Sequence, residues 1–305
     1  MDKSVFCFPG WTRKAVSFTM DDGNVPLDKK FIDIVKPAGI LGTFNLVSID
    51  RMGDMTPEQY REFYKGYELT NHCKMHPKVM TAEDYASISD EPFDPNTSDR
   101  TKIYSAGREG VYHKFFRTWW GKVATEQAYI ELVDESHREL EEIFGEGSIV
   151  AYVWPYCEQD SDAVKEHLRA AGYASVRRTG SVGFDLPTDR MSWSYNAIHT
   201  DLVSRAAEFE AIEDDGKLRF FCFGVHPHDF EYGNCWENLV EFAEKYGNRP
   251  GDFWYATVRD IFEYEDAVNA AAVTECGITN NSDKIVYAIV NGEKITVAPG
   301  ETKEI

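Results

Sequence analysis

Residues 15–47 read as a strand, a helix and a second strand, and that unit commits the chain to a parallel sheet. Ala15-Val16-Ser17-Phe18-Thr19-Met20 is an apolar, β-prone run that ends in Asp21, Asp22 and Gly23. Pro26 suits the first turn of a helix, where its missing N–H costs nothing. Leu27, Phe31, Ile34 and Val35 then form an apolar stripe at helical spacing, stopped by Pro37 and Gly39. Residues 40–47 are the second strand. Two parallel strands need a crossover of this kind, so an α/β fold follows.

The alternation continues. Thr56-Pro57-Glu58 signals a helix start, and Gly66 ends that helix. Residues 67–70 form a short strand that delivers Asn71-His72-Cys73-Lys74-Met75-His76-Pro77. A helix is expected over 125–144, with Ile130, Val133, His137, Leu140 and Phe144 on its buried face, and a strand over 149–153. Ser161 caps the next helix, which Gly172 closes before a strand at 173–176. Residues 218–225 are a strongly apolar strand ending at His226-Pro227-His228-Asp229. Asn234 is read as the cap of a helix, and 253–258 as the last strand. From 282 onward short strands turn at Asn291-Gly292 and near Pro299-Gly300. The expected division is a (β/α) barrel over 1–268, with an irregular insertion at 78–123, and a small β appendage over 269–305. So long an irregular stretch usually carries function; Tyr112, Phe116, Trp119 and Trp120 are read as packing it onto the barrel, a sugar platform being the rival reading.

A chain of 305 residues with 43% hydrophobic content is large enough for such a core. The net charge of −20 argues against nucleic acid or an anionic membrane as partner. Six cysteines with no Cys-x-x-Cys pair argue against a disulfide scaffold. No secretion signal and no membrane-spanning run is read, so a cytoplasmic location is expected as written, with a secreted mature form left open. The sequence does not speak to oligomeric state.

The chemistry-bearing residues gather just after the expected parallel strands, the edge that builds active sites in α/β barrels. They are Asp21 and Asp22, His72 and His76, Pro155 and Tyr156, and His226 and His228. Alternation along a strand sends Asp21 and Asp22 in different directions, so one can bind a metal while the other faces a water. His72 and His76, four apart, can face one point; with Asp22 they make a two-histidine, one-carboxylate set that leaves positions open for water. His-Glu-x-x-His chemistry is excluded, because Cys73 stands where the glutamate belongs.

These residues resemble the motifs of the polysaccharide deacetylases, the NodB-homology class or carbohydrate esterase family four. Thr19-Met20-Asp21-Asp22-Gly23 is similar to the first motif, Thr-Phe-Asp-Asp-Gly. His72 to His76 is similar to the second, His-(Ser/Thr)-x-x-His. Val153-Trp154-Pro155-Tyr156 keeps the Pro-Tyr of the third, and a histidine follows the apolar strand as in the last. The resemblance spans roughly residues 5–265. It implies a distorted (β/α) barrel and a divalent metal, usually zinc, held by Asp22, His72 and His76. It implies Asp21 as general base, the Tyr156 backbone N–H as oxyanion donor, and a late histidine as general acid. His226 is preferred to His228 for that role on reach.

The third motif's arginine is absent, with Trp154 or Val153 in its place. Arg178, on the neighbouring strand, is expected to replace it, with Arg177 on the opposite face. Asp185 or Asp189 is a loose match to the aspartate that pairs with the acid, and His199 is read as structural. The function expected is removal of acetyl groups from an N-acetyl or O-acetyl carbohydrate by metal-activated water. An amidohydrolase of the same fold acting on a small acylated non-sugar amide remains an alternative, as does a carbohydrate-binding protein without catalysis.

Overall fold

The structure is a computed structural model that describes residues 3–47, 55–80, 104–105, 122–156, 161–178 and 183–305. Its centre is a curled, all-parallel sheet. β1 (Lys14–Asp22), β2 (Thr43–Leu46), β3 (Glu68–Asn71), β4 (Ala151–Val153), β5 (Ser175–Arg178), β6 (Trp193–Ser194), β7 (Arg219–Val225) and β8 (Trp254–Tyr255) make it up. The strand order is β6-β5-β4-β3-β2-β1-β7, and β8 pairs with the beginning of β1 beside β2. Beyond β6 the chain runs on to β7: Asn196 N–H donates to Cys222 O (2.9 Å) and Gly224 N–H to Ala197 O (3.0 Å). The two edges of the sheet therefore meet, and the fold is a distorted (β/α) barrel, as the motifs imply.

Eight helices pack outside or cap the barrel among the described residues: α1 (Val25–Val35), α2 (Pro57–Phe63), α3 (Glu126–Phe144), α4 (Asp162–Ala170), α5 (Leu202–Glu210), α6 (Pro227–Tyr232), α7 (Trp236–Tyr246) and α8 (Val258–Ala270). Alternation in the strands sorts side chains between two environments. Val16, Phe18 and Met20 of β1 join Phe31, Phe44, Phe223 and Phe242 in the core against the helices. The alternate residues Ser17, Thr19, Asp21, Thr43, Asn45, Thr70, Ser175 and Arg177 are all buried as well. The sheet is thus apolar toward the helices, while its inner face is mixed: polar toward the C-terminal end of β1 and apolar where Ala15, Phe220 and Cys222 meet a second core.

Three expectations are corrected. The buried face of α3 is Ala128, Tyr129, Leu132, Val133, Ser136, Leu140 and Ile143, so only Val133 and Leu140 of the expected stripe are fully covered. Tyr129 turns the helix: it stacks on Trp154 and shares a hydrogen bond of 2.6 Å with Tyr152. The strand expected over 253–258 is only Trp254–Tyr255, because Thr257 and Asp260 form a capping box that starts α8. Asn234 takes a positive φ of 47°, and Cys235 is the N-cap of α7.

The C-terminal residues form short antiparallel strands, including Val286–Val290 paired with Glu293–Val297 through Asn291 and Gly292. Both turn residues have positive φ (52° and 83°), the signature expected of an Asn-Gly hairpin. Val286–Val290 also pairs with Phe6–Cys7 near the N-terminus. A second apolar core, with Phe6, Phe8, Ile261, Tyr264, Val286 and Ala288, binds these strands to α8. Among the described residues the cysteines are free, and no helix is long and apolar enough to cross a membrane.

Glu68 joins β3 to the start of α8. It is buried, accepting hydrogen bonds from Thr43 Oγ1 (2.6 Å) and the Arg259 N–H (2.9 Å). Burial outweighs those two bonds and pushes its carboxyl up from 4.5 to about 7. A folded-state value above the unfolded one means that the carboxyl's contribution is complete below about pH 4.5 and lost as pH rises through about 7. The Glu68→Gln variant should therefore gain stability relative to the parent between pH 4 and pH 8, by up to about 3 kcal/mol. Denaturant unfolding at the two pH values measures this; an equal difference at both would contradict it.

Candidate active site

The polar interior of the barrel ends in Asp21, at the C-terminal end of β1. Asp21 is 3% exposed. Its Oδ1 accepts from Asn45 Nδ2 (2.6 Å) and from the guanidinium of Arg177, itself fully buried. Asn45 donates its second amide hydrogen to Thr19 Oγ1 (2.7 Å) and accepts from Thr70 Oγ1 (2.6 Å). Both amide hydrogens and the amide oxygen are thereby engaged, which fixes the side chain. Burial alone would raise the Asp21 pKa, but the Arg177 charge, helped by His72 and His226, outweighs it and holds the carboxyl well below the usual range. Asp21 is an oriented carboxylate, not a neutral acid.

Asp22 faces elsewhere. Its φ of 81° swings the carboxylate toward the loop after β3. There Asp22 Oδ1 lies 3.8 Å from His72 Nε2 and 3.7 Å from His76 Nε2. Burial opposes ionisation of Asp22, but His226, His76 and His72 together lower its pKa.

That loop is held from several sides. Asn71 donates to Val133 O (2.9 Å) and Tyr173 Oη (2.8 Å), and accepts from the Cys73 N–H (2.8 Å). Lys74 reaches Glu135 (2.8 Å) and Glu139 on α3. His72 Nδ1 donates to Val153 O (2.8 Å), which leaves the lone pair on Nε2, aimed at Asp22. Burial lowers the His72 pKa further than Asp21 and Asp22 raise it. Among the described residues, five of the nine non-glycine positions with positive φ are Asp22, Cys73, Met75, His76 and Tyr156. Strained backbone is concentrated around this one point, as at many functional sites.

The donor atoms of Asp22, His72 and His76 all lie within 4.8 Å of one another. Asp22 Oδ1 and His72 Nε2 are buried without a hydrogen-bond partner. One carboxylate and two imidazoles, one with its tautomer fixed from behind, are a donor set suited to a divalent cation with positions left for water.

His226 follows β7 and sits across from this cluster, with Nε2 4.0 Å from Asp22 Oδ2. Its Nδ1 pairs with Asp229 Oδ2 at 3.0 Å. Burial works against the imidazolium, but the bond to Asp229 and the charges of Asp22 and Asp21 more than offset it, and the ring is pushed up to about 9. His228 stacks on His226 with ring centroids 4.5 Å apart, and its Nε2 lies 3.8 Å from Asp229 Oδ1. Tyr156, just past β4, packs its ring edge-on against His76 at 4.6 Å.

The structure thus brings together Asp21, Asp22, His72, His76, Tyr156 and His226. It corrects the arginine. Arg178 is not on Asp21: its Nη1 donates to Ser192 Oγ (3.2 Å), and Arg177 holds the aspartate instead. The reason is strand parity: Val176 is buried in the core facing the helices, so Ser175 and Arg177 must face the barrel interior. The alternation in Ser175-Val176-Arg177-Arg178 carried that signal. Trp154, where the third-motif arginine would stand, is fully buried between Tyr129 and Tyr152. Asp185 pairs with Arg219, and Asp189 accepts from the Met191 N–H (2.9 Å); neither meets His226, whose partner Asp229 is three residues away on its own turn. Asn45, Thr19 and Thr70 carry no role in the sequence reading; the trace they leave is the alternation of polar residues within each strand, Ser17-Thr19-Asp21, Thr43-Asn45 and Glu68-Thr70. The aromatic residues Tyr112, Phe116, Trp119 and Trp120 lie outside the described residues.

The sequence model for polysaccharide deacetylases matches residues 10–176, a stretch that contains Asp21, Asp22, His72, His76 and Tyr156. No curated protein matches the chain. Similar solved structures include the peptidoglycan deacetylase PdaC from Bacillus subtilis (14% identity, 88% of this chain and 96% of that one, TM-score 0.44). A CE4 esterase from Streptococcus mutans is similar at 16% identity over 79% of this chain and 85% of that one, TM-score 0.44. A family 4 acetyl xylan esterase from Clostridium thermocellum, solved with a cobalt ion, is similar at 13% identity over 83% of this chain and 92% of that one, TM-score 0.43. The match to the family covers more than half of the chain and includes both of the motifs built around Asp22 and His72, so this protein belongs to the polysaccharide deacetylase family.

Proposed function

We propose that this protein is a metal-dependent deacetylase that removes acetyl groups from an N-acetyl or O-acetyl carbohydrate. One observation carries the reading: two adjacent carboxylates are separated in role by their partners. Asp21 is clamped by Arg177 and Asn45, while Asp22 turns to His72 and His76. Family membership supports the substrate class.

In this reading Asp22, His72 and His76 hold a divalent cation, zinc being the expected one. When bound, it polarises the acyl carbonyl and lowers the pKa of a water toward ~7. Asp21 takes the proton of the attacking water. Its low basicity is matched by orientation, since Arg177 and Asn45 both bind Oδ1 and leave Oδ2 toward His72, 4.0 Å away. The Tyr156 backbone N–H is assigned to the developing oxyanion, where one such donor contributes about 3 kcal/mol. His226, kept protonated by Asp229, delivers a proton to the departing nitrogen or oxygen. The barrel over 1–268 would carry all of this chemistry, with 269–305 packed beside it; most of the 78–123 insertion lies outside the described residues.

Assays of acetate release by zinc-loaded protein from N-acetylated and O-acetylated oligosaccharides, side by side, test the substrate class. Release from at least one is expected. Release from neither, with hydrolysis of a small acylated amide, would move the protein to the amidohydrolase reading.

The Asp pair gives a sharper prediction. Asp22→Ala should lose the tightly bound metal equivalent, whereas Asp21→Asn should keep it and lose most activity. Metal analysis of the purified variants decides this; a metal-free Asp21→Asn would reverse the roles.

The two arginines give another. Arg177→Lys keeps the charge but not the planar fork. It should lower kcat on the order of 100-fold, the scale of a misplaced catalytic group, with metal content unchanged. Arg178→Lys should stay within about twofold of the parent, because Arg178 reaches Ser192 and not Asp21. The opposite ranking would remove Arg177 from the mechanism.

A further inference from the structure

The described residues contain a second set of convergent metal-type donors, one that the mechanism above uses only in part. His226, His228 and Asp229 offer ligand atoms that all lie within 4.8 Å of one another. The two imidazoles flank one carboxylate: His226 Nδ1 is 3.0 Å from Asp229 Oδ2, and His228 Nε2 is 3.8 Å from Asp229 Oδ1. The rings are stacked, 15° from parallel, so they must tilt for their in-plane lone pairs to meet at one ion. The side chains are 32%, 26% and 30% exposed, which leaves room for water to complete a coordination shell. Pro227 between the histidines opens α6 and fixes the local backbone. The carboxylates of Asp21 and Asp22 on the far side of His226 add a field favourable to a cation.

We propose that His226, His228 and Asp229 form a second, weaker divalent-cation site, and that filling it switches the enzyme off. The inference rests on the reading of His226 as general acid. The two sites use opposite nitrogens of one ring: Nε2 faces Asp22, and Nδ1 faces Asp229. A cation on Nδ1 displaces the proton that lies between Nδ1 and Asp229. From the imidazolium that proton leaves to solvent; in the neutral ring it moves to Nε2. Either way a metal-bound neutral imidazole remains, and its Nε2–H is a far weaker acid than an imidazolium. His228, which has no part in the proposed chemistry, supplies the ligand that makes the site bind.

Zinc titration of the full chain tests this with two readouts, bound equivalents by equilibrium dialysis and acetate release. The parent should bind a second, weaker equivalent, and its rate should fall as that equivalent binds. His228→Gln should keep the parent's rate at one equivalent, and the zinc concentration for half-inhibition should rise at least about tenfold, the scale on which metal affinity falls when a partner is lost. Asp22→Ala should still bind one weak equivalent, and Asp22→Ala with His228→Gln none. A second equivalent retained in His228→Gln, or inhibition unchanged in that variant, would overturn the proposal. So would loss of the second equivalent without relief of inhibition. Failure of the acetate assay at one equivalent would count against the deacetylase reading alone, because the dialysis arm still reports on the second site.

Discussion

The ion pair between Arg177 and Asp21 is the constraint on which the site depends. Both groups are essentially removed from water, and burying two charges is costly unless each finds more than its opposite number. Asn45 supplies what is missing: it binds the same carboxylate and is itself held by Thr19 and Thr70. The network spans β1, β2, β3 and β5, so the barrel cannot curl differently without breaking it. Removing one partner from a buried pair of this kind typically costs about 3–5 kcal/mol, so this chemistry and the fold are not separable.

The same arrangement divides labour between neighbours in sequence. Asp21 has its orientation fixed within the barrel, and Asp22, one residue on, leaves the strand with a positive φ. Its counterparts arrive on a loop pinned to α3 by Lys74 and to β3 by Asn71. Strain at Cys73, Met75 and His76 is tolerated because those anchors over-determine the backbone. The helices matter to the chemistry chiefly as the surface against which this loop and the sheet are braced.

Much of this was legible from residue pattern. Strand-helix alternation from β1 onward gave a parallel barrel, and the polar residues just past each strand marked the functional edge. Asp22, His72 and His76 do converge. What escaped was parity and locality. Arg178 was preferred to Arg177 because the inward face of β5 was assigned without using Val176, whose burial against the helices fixes it. Asp185 and Asp189 have other partners, whereas the turn at the start of α6 brings Asp229 onto His226 from three residues away. Asn45 and Thr70 look like ordinary strand residues, and Thr19 like one letter of a motif; their shared role emerges only when the sheet brings them together around Asp21. Helices α5, α6 and α8 were missed or merged, the last despite the Thr257 and Asp260 capping box.

The central claim is that Asp22, not Asp21, joins His72 and His76 on the cation while Asp21 stays with Arg177. The most direct measurement is a crystal structure of the protein with one equivalent of zinc, read by anomalous scattering at the zinc edge. The account predicts a single strong peak within bonding distance of Asp22, His72 Nε2 and His76 Nε2, with Asp21 still hydrogen-bonded to Arg177. A peak whose nearest carboxylate is Asp21, or an Asp21 released from Arg177, would contradict it.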